Sequence, residues 1–289
     1  MSLRAQIWLI FLAPVLLVAG LYVLGLTIPV PYLGRDYVLR MILPDGGQPV
    51  GLPEVYGPDD KSRPLLVIDP GHGGKDPGAS TAGYREKDVV LALARALRDQ
   101  LVKEGGIRVA LTRDDDKFLV LQERFEIARR LDADLFLSIH ADSTSEGNDA
   151  TGASIYTLSN EASSEAAARF AARENSADAI NGVMLDDQSA NVNAILVELS
   201  QRRVQQDSAE FAGLIVREGT GALKFHPQPR RSAALAVLRA PDVPSILYES
   251  GYINNPQDAA RLASPEGRKN FAETMARAVR VYFARQSGT

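Results

Sequence analysis

The sequence predicts an α/β domain built on a single, mostly parallel twisted sheet flanked by helices, with a helical insertion and an N-terminal transmembrane helix. Three observations carry this. From Pro64 onward, apolar runs of strand length alternate with helical periods, an order that gives parallel pairing through right-handed crossovers. Residues 161–207 break the alternation, and Ile7–Thr27 is apolar without a single charge.

Taken in order, Ile7–Thr27 is long enough as a helix to cross about 30 Å of hydrocarbon. A cleavable signal has a shorter apolar run before its small-residue site. Here the nearest such site, Val18-Ala19-Gly20, lies inside the run, so an uncleaved anchor over residues 1–28 is expected, with a cleaved signal as the alternative. Residues 29–63, rich in proline and glycine, read as a linker with one strand at Tyr37–Leu43. The domain is expected over 64–286. It starts with a strand at Leu65–Ile68, a helix at Glu86–Lys103 and a strand at Arg108–Thr112, followed by a helix at Leu119–Leu131 and strands at Leu135–His140 and Ala153–Leu158. The insertion opens with an alanine-rich helix, Glu165–Glu174, passes through NGVMLDDQSANVN and regains an amphipathic pattern at Ile195–Leu199. A helix at Ser208–Glu218, strands at Leu235–Leu238 and Ser245–Tyr248, and a helix from Pro265 to Phe283 complete the domain. In that last helix Phe271, Met275, Ala278 and Tyr282 form a core-facing stripe.

Composition narrows the function. With 45% hydrophobic and 24% charged residues the chain of 289 has an ordinary globular balance and can bury a sizeable core. A net charge of −4 with no basic patch argues against nucleic acid as a partner. The absence of cysteine excludes disulfides, thiolate metal ligands and cysteine nucleophiles.

Chemistry-bearing residues stand out against this background. The loop VIDPGHGGKDPG (Val67–Gly78) places one of only three histidines, His72, among glycines that let the backbone approach a bound group closely. His140 ends the run Leu135–Ile139, so both histidines stand at carboxyl ends of strands, the edge where open parallel sheets place ligands. Val90, Leu93, Leu97 and Leu101 recur at the helical period, and the same stripe extended backwards lands on Glu86, a carboxylate aimed along a buried face. Interaction with the helix dipole is the alternative for Glu86, and structural hydrogen bonding the alternative for each histidine. Together the three form a two-histidine, one-carboxylate set that suits a catalytic Zn²⁺, and equally the facial triad of a non-haem iron oxygenase. Glu249 follows Ile246-Leu247-Tyr248 at the same edge and suits a general base, or else caps a turn. His226 lies in a basic, proline-rich loop and reads as exposed or beside a substrate.

VIDPGHGGKDPG, the Glu86-Lys87-Asp88 helix start, SIHAD (Ser138–Asp142) and VPSILYESGYINNPQD (Val243–Asp258) resemble the zinc-dependent N-acetylmuramoyl-L-alanine amidases of the amidase 3 family, from about Leu65 to Phe283. The resemblance implies a phosphorylase/hydrolase-like sheet, one Zn²⁺ per chain held by His72, Glu86 and His140, and Glu249 as general base. The substrate would be peptidoglycan, cut between the lactyl group of N-acetylmuramic acid and L-alanine during wall remodelling and daughter-cell separation. The stretch from Ala153 through RENSADAINGV to ILVELSQ resembles the long insert of the division amidases of Gram-negative bacteria. This implies a helix over the active site, a glutamate that blocks the metal, and an activator protein that displaces the helix. Glu165 is the expected blocking residue, with Glu161 and Glu174 as alternatives. Members with this insert often carry an N-terminal peptidoglycan-targeting domain. Residues 28–63 are too short for one, so an inner-membrane anchor with the domain in the periplasm is the expected localising device. The competing expectations are a non-catalytic wall-binding or regulatory protein of the same fold, which filled catalytic positions disfavour, and a zinc peptidase acting within the stem peptide.

Overall fold

The computed structural model describes residue 12 and residues 51–81, 83–143, 150–178 and 194–287, with backbone alone at 194–201. The chain divides into two compact units, Met1–Pro49 and Val50–Thr289, and the fold is that of the second. Apart from Leu12, the apolar run Ile7–Thr27 and the expected strand Tyr37–Leu43 lie outside the described residues. Among the described residues no helix is long and apolar enough to cross a membrane.

Among the described residues nine strands occur, in chain order β1 (Val55–Tyr56), β2 (Leu65–Pro70), β3 (Ser80–Thr81), β4 (Tyr84–Arg85), β5 (Arg108–Leu111), β6 (Leu135–Asp142), β7 (Ala153–Leu158), β8 (Phe225–Ala233) and β9 (Ser245–Tyr252). The helices are α1 (Glu86–Glu104), α2 (Leu121–Arg130), α3 (Glu165–Asn175), α4 (Ala194–Gly219), α5 (Pro256–Ala263) and α6 (Pro265–Gln286). Seven strands form one sheet in the order β1-β5-β2-β6-β9-β7-β8, and β3-β4 form a separate hairpin. The centre, β5-β2-β6-β9, is parallel, as the alternation of strand and helix requires. β7 is antiparallel to β9, because the connection from β6 to β7, residues 143–152, is too short for the crossover that a parallel pairing needs.

Two apolar cores sandwich the sheet. One packs α1, α4 and α6 against residues such as Ile68, Leu137 and Ile246, and it includes Phe271, Met275, Ala278 and Tyr282 of the expected α6 stripe. The other packs Ala128 of α2 and Ala167, Phe170 and Ala171 of α3 against Val67, Phe136 and Leu247. Successive residues of β6 and β9 thus point to opposite cores, as strand pleating dictates.

Four elements differ from expectation. The apolar run at Leu235–Leu238 is a 3-10 turn at Ala236–Leu238 rather than a strand. The strand is β8, whose Pro227 and Pro229 are tolerated because β8 is the sheet's edge. The helical pieces Ile195–Leu199 and Ser208–Glu218 are one helix, α4. Finally, Val55–Tyr56, in the stretch read as linker, pairs with β5.

Candidate active site

Strand geometry brings the expected residues to one edge. His72 lies two residues beyond β2, His140 lies within β6, and the β6–β9 register sets His140 directly opposite Glu249. His72 adopts a left-handed backbone (φ 59°), uncommon for a residue with a side chain. Two buried arginines hold it there. Arg124 donates to the carbonyls of Pro70 (3.0 Å) and His72 (2.9 Å) and pairs with Asp69 at 2.9 Å. Arg113 donates to the carbonyls of Pro70 (2.9 Å), Gly71 (2.7 Å), Asp115 (3.0 Å) and Lys87 (3.0 Å), tying the His72 loop to the first turn of α1. Burial pushes the Arg113 guanidinium down to about 10. The loop's glycines are needed for close approach: a Cβ on Gly71 would lie 2.4 Å from the His140 ring, and one on Gly78 2.6 Å from both Glu86 Oε2 and His72.

Four donor atoms converge. Glu86 Oε1 lies 3.1 Å from His72 Nε2 and 3.2 Å from His140 Nδ1, and Glu174 Oε2 lies 3.7 and 3.3 Å from the same nitrogens. His72, His140 and Glu174 each offer a ligand atom within 4.8 Å of the others. Both nitrogens are buried and have no hydrogen-bond partner of acceptable geometry, although carboxylate oxygens sit within ion-pair distance. Lone pairs aimed at a common point, rather than at each other, produce that pattern. Ligands at tetrahedral angles with bonds of about 2.0–2.2 Å stand roughly 3.3–3.6 Å apart, close to the spacings found, so the residues fit a small divalent cation. Their supports are also in place. Asp76 Oδ2 holds His72 Nδ1 at 2.8 Å, while Glu86 accepts from Ala141 N and Ala79 N at 2.9 Å each. Burial opposes ionisation of Glu86, but His72 and His140 outweigh it and hold the carboxyl well below the usual range.

Glu249 is 3% exposed, accepts from Asp142 N at 2.7 Å through Oε2, and leaves Oε1 without a partner. Burial, reinforced by Asp142, Glu86 and Glu174, raises its pKa well above the usual value. Neighbouring Asp142 is pushed up to about 6, by burial first, against the opposing charge of Arg173.

Of the three glutamates expected as blocking candidates, the structure sets Glu174, not Glu165, beside the histidines. Glu165 is exposed (86% for its side chain) and pairs with Arg169, and Glu161 is exposed as well. Glu174, 7% exposed, faces the histidines. Ala167, Phe170, Ala171 and Glu174 recur at helical spacing and all are buried. That stripe was visible in the sequence and marks Glu174 by the same reasoning that marked Glu86. Helix α3 starts at Ser164, whose side chain caps Ala167 N, and Phe170 stacks on Tyr156 at 4.5 Å. Arg173 bonds Asp142, Glu174 Oε1 (3.2 Å) and the Ser143 carbonyl (3.1 Å). At the end of α3, Asn175 donates to Ala234 O and accepts from Ala236 N, each at 2.8 Å, and beyond it Asp178 accepts from Leu121 N at the start of α2. His226, half-buried, bonds Arg231 and is not among the converging donors.

A family model described as N-acetylmuramoyl-L-alanine amidase matches residues 66–281. The N-acetylmuramoyl-L-alanine amidase AmiC of Escherichia coli O6:H1 is 36% identical over 231 residues, covering 79% of this chain and 55% of the relative. AmiA of Escherichia coli K12 is 38% identical over 221 residues, covering 76% of each. The chain spans about half the length of the AmiC relatives it matches. Among solved structures, the amidase AmiC2 of Nostoc punctiforme superposes with a TM-score of 0.54 at 32% identity, over 76% of this chain and 97% of that one.

Proposed function

The chain belongs to the N-acetylmuramoyl-L-alanine amidase family, and on that premise we propose that it is a zinc-dependent hydrolase of the amide joining N-acetylmuramic acid to L-alanine in peptidoglycan. The observation that supports this best is the meeting of His72, Glu86 and His140, with Glu249 opposite His140 in the next strand. His72, Glu86 and His140 would hold one Zn²⁺, which when bound supplies a Lewis acid for the scissile carbonyl and brings a water's pKa towards about 7. Glu249 would take the proton of the attacking water on Oε1, the oxygen left free, and pass it to the departing L-alanine nitrogen. Its backbone bond through Oε2 to Asp142 N fixes the carboxylate while it does so. Asp76, on His72 Nδ1, keeps Nε2 directed at the site.

In the described conformation Glu174 Oε2 lies 3.7 and 3.3 Å from the His72 and His140 nitrogens, and it would occupy the place that the attacking water needs. The resting chain would therefore be autoinhibited, and an activator protein that binds the form with α3 displaced would switch it on. Wall remodelling at daughter-cell separation, in the periplasm and at an inner membrane held by residues 1–28, is the setting that fits this switch. The test is digestion of purified peptidoglycan by the full chain and by Glu174→Ala, followed by mass spectrometry. Free stem peptides with an intact L-alanine amino terminus are expected, in larger yield from Glu174→Ala. Cut glycan strands, shortened stem peptides or no product from either protein would overturn the reading.

A further inference from the structure

We propose that Arg231 forms a subsite for a free carboxylate of the stem peptide, covered in the resting form by the same helix that places Glu174 among the histidines. The proposal rests on the amidase reading and extends it to the peptide side of the substrate.

The position follows from register. His140 pairs with Glu249, Glu249 with Ser154, and Tyr156 with Arg231, which carries the line from β6 through β9 and β7 to β8. Phe136, Leu247, Tyr156 and Ala233 all belong to the core beneath α3. By the strand period of two, His140, Glu249 and Arg231 therefore share that face. Three strand spacings and an offset of two residues along the strand, on the order of 16 Å in all, separate the backbones of His140 and Arg231, a span that a long arginine side chain and a few extended peptide residues at about 3.3 Å each can bridge.

The guanidinium is held by neutral partners. Arg231 donates to Tyr156 Oη at 3.1 Å and to the Gln228 carbonyl at 3.2 Å, and its Nη2 lies 2.9 and 3.0 Å from the two His226 ring nitrogens, of which the neutral ring accepts at one; all of these are uncharged groups. The His226 ring is kept neutral, its pKa lowered by burial and by Arg231 itself. Among the described residues no carboxylate pairs with Arg231, whereas Arg124, Arg129 and Arg173 each meet one. A half-buried guanidinium held in place but without a counter-charge presents a planar donor fork suited to a carboxylate. In the proposed substrate the glycan beside the scissile bond is uncharged, and the carboxylates lie on the peptide beyond L-alanine. The Arg231 flank is thus assigned to the peptide.

Helix α3 links this subsite to the switch. Phe170 stacks on the Tyr156 ring at 4.5 Å, and the Arg231 guanidinium lies 5.9 Å from the same ring. Movement of α3 that removes Glu174 also uncovers Tyr156, so the metal ligands and the peptide subsite become available together.

The test compares kcat/KM for three synthetic muramoyl tripeptides in the full chain carrying Glu174→Ala. One has free carboxylates, one is amidated on the second residue and one on the third. We expect about tenfold or greater preference for the free acid over one amidated form, expressed mainly in KM. In Arg231→Gln the free and amidated forms should be cut at rates within about twofold of each other, and Arg231→Lys should regain part of the preference. Equal use of all three peptides by the Arg231 chain overturns the subsite, as does a preference that survives Arg231→Gln. Loss of all cleavage in both Arg231→Gln and Arg231→Lys also overturns it, since that outcome assigns Arg231 to the fold. Failure of the Arg231 chain to cut any of the three defeats the amidase reading itself.

Discussion

Glu249 and Arg113 show how much a single buried side chain can decide here. Glu249→Gln keeps the shape and the bond to Asp142 N but cannot take a proton. Turnover is expected to fall about 10²–10⁴-fold while zinc stays bound, checked by single-turnover assay alongside metal analysis. Burial and the surrounding carboxylates raise the pKa of Glu249, so its ionised fraction grows only as pH climbs well past the ordinary glutamate value of about 4.3. The acid limb of the turnover profile should accordingly lie above that value and flatten in Glu249→Gln. Among the described residues Arg113 meets no carboxylate in a hydrogen bond, and it spends its donors on four carbonyls. Lysine cannot reproduce that fork, so Arg113→Lys should loosen His72 and Glu86 together. Zinc affinity measured by chelator competition is expected to drop roughly 10–100-fold, as for other residues that orient metal ligands. An unchanged affinity would make Arg113 a purely structural residue.

At the scale of elements, α3 is anchored at both ends and in its middle: by the Ser164 cap, the Phe170–Tyr156 stack and the paired bonds of Asn175. Asn175→Ala leaves the Ala236 N–H and the Ala234 carbonyl without their partner in the closed form only. A cost of about 1–2 kcal/mol there would raise the open fraction, and basal amidase activity, on the order of tenfold even with Glu174 present. Glu165→Ala, by contrast, removes only an exposed ion pair with Arg169, and activity equal to the parent's is expected. A gain from Glu165→Ala matching that from Glu174→Ala would return the blocking role to Glu165.

Across the whole molecule, the two apolar cores meet at a sheet whose centre carries a charge. Asp69, fully buried in β2, pairs with Arg124 at 2.9 Å and accepts from Thr112 (2.6 Å) and Ser138 (2.8 Å), joining β5, β2, β6 and α2. Burial works against this carboxylate, but Arg124 and the two hydroxyls outweigh it and lower its pKa. A group whose pKa is depressed on folding contributes stability above its unfolded value of about 3.9, and that contribution is lost as pH falls through the folded value. Urea unfolding of the parent should therefore show stability falling below about pH 4, and Asp69→Asn should lose this share of the dependence. Breaking the pair from one side strands Arg124, at a cost of about 3–5 kcal/mol at neutral pH.

The sequence by itself determined the parallel centre of the sheet and the α6 stripe, and it singled out His72, Glu86, His140 and Glu249, which the structure brings to one edge. These signals are local: a period of two or 3.6, a glycine loop, or a polar residue breaking an apolar stripe. The same logic, applied to the stripe through Ala167, Phe170 and Ala171, points to Glu174, whereas the sequence reading put Glu165 first and Glu174 among the alternatives. Only the tertiary structure decided that β7 runs back against β9, that β8 with its prolines forms the edge, and that Arg113 grips the two ligand segments at once. Those outcomes depend on which distant segments pack together, and packing energy is shared among residues far apart in the chain. A pattern read along the backbone can aim a side chain at the interior, but what it meets there is set by the fold.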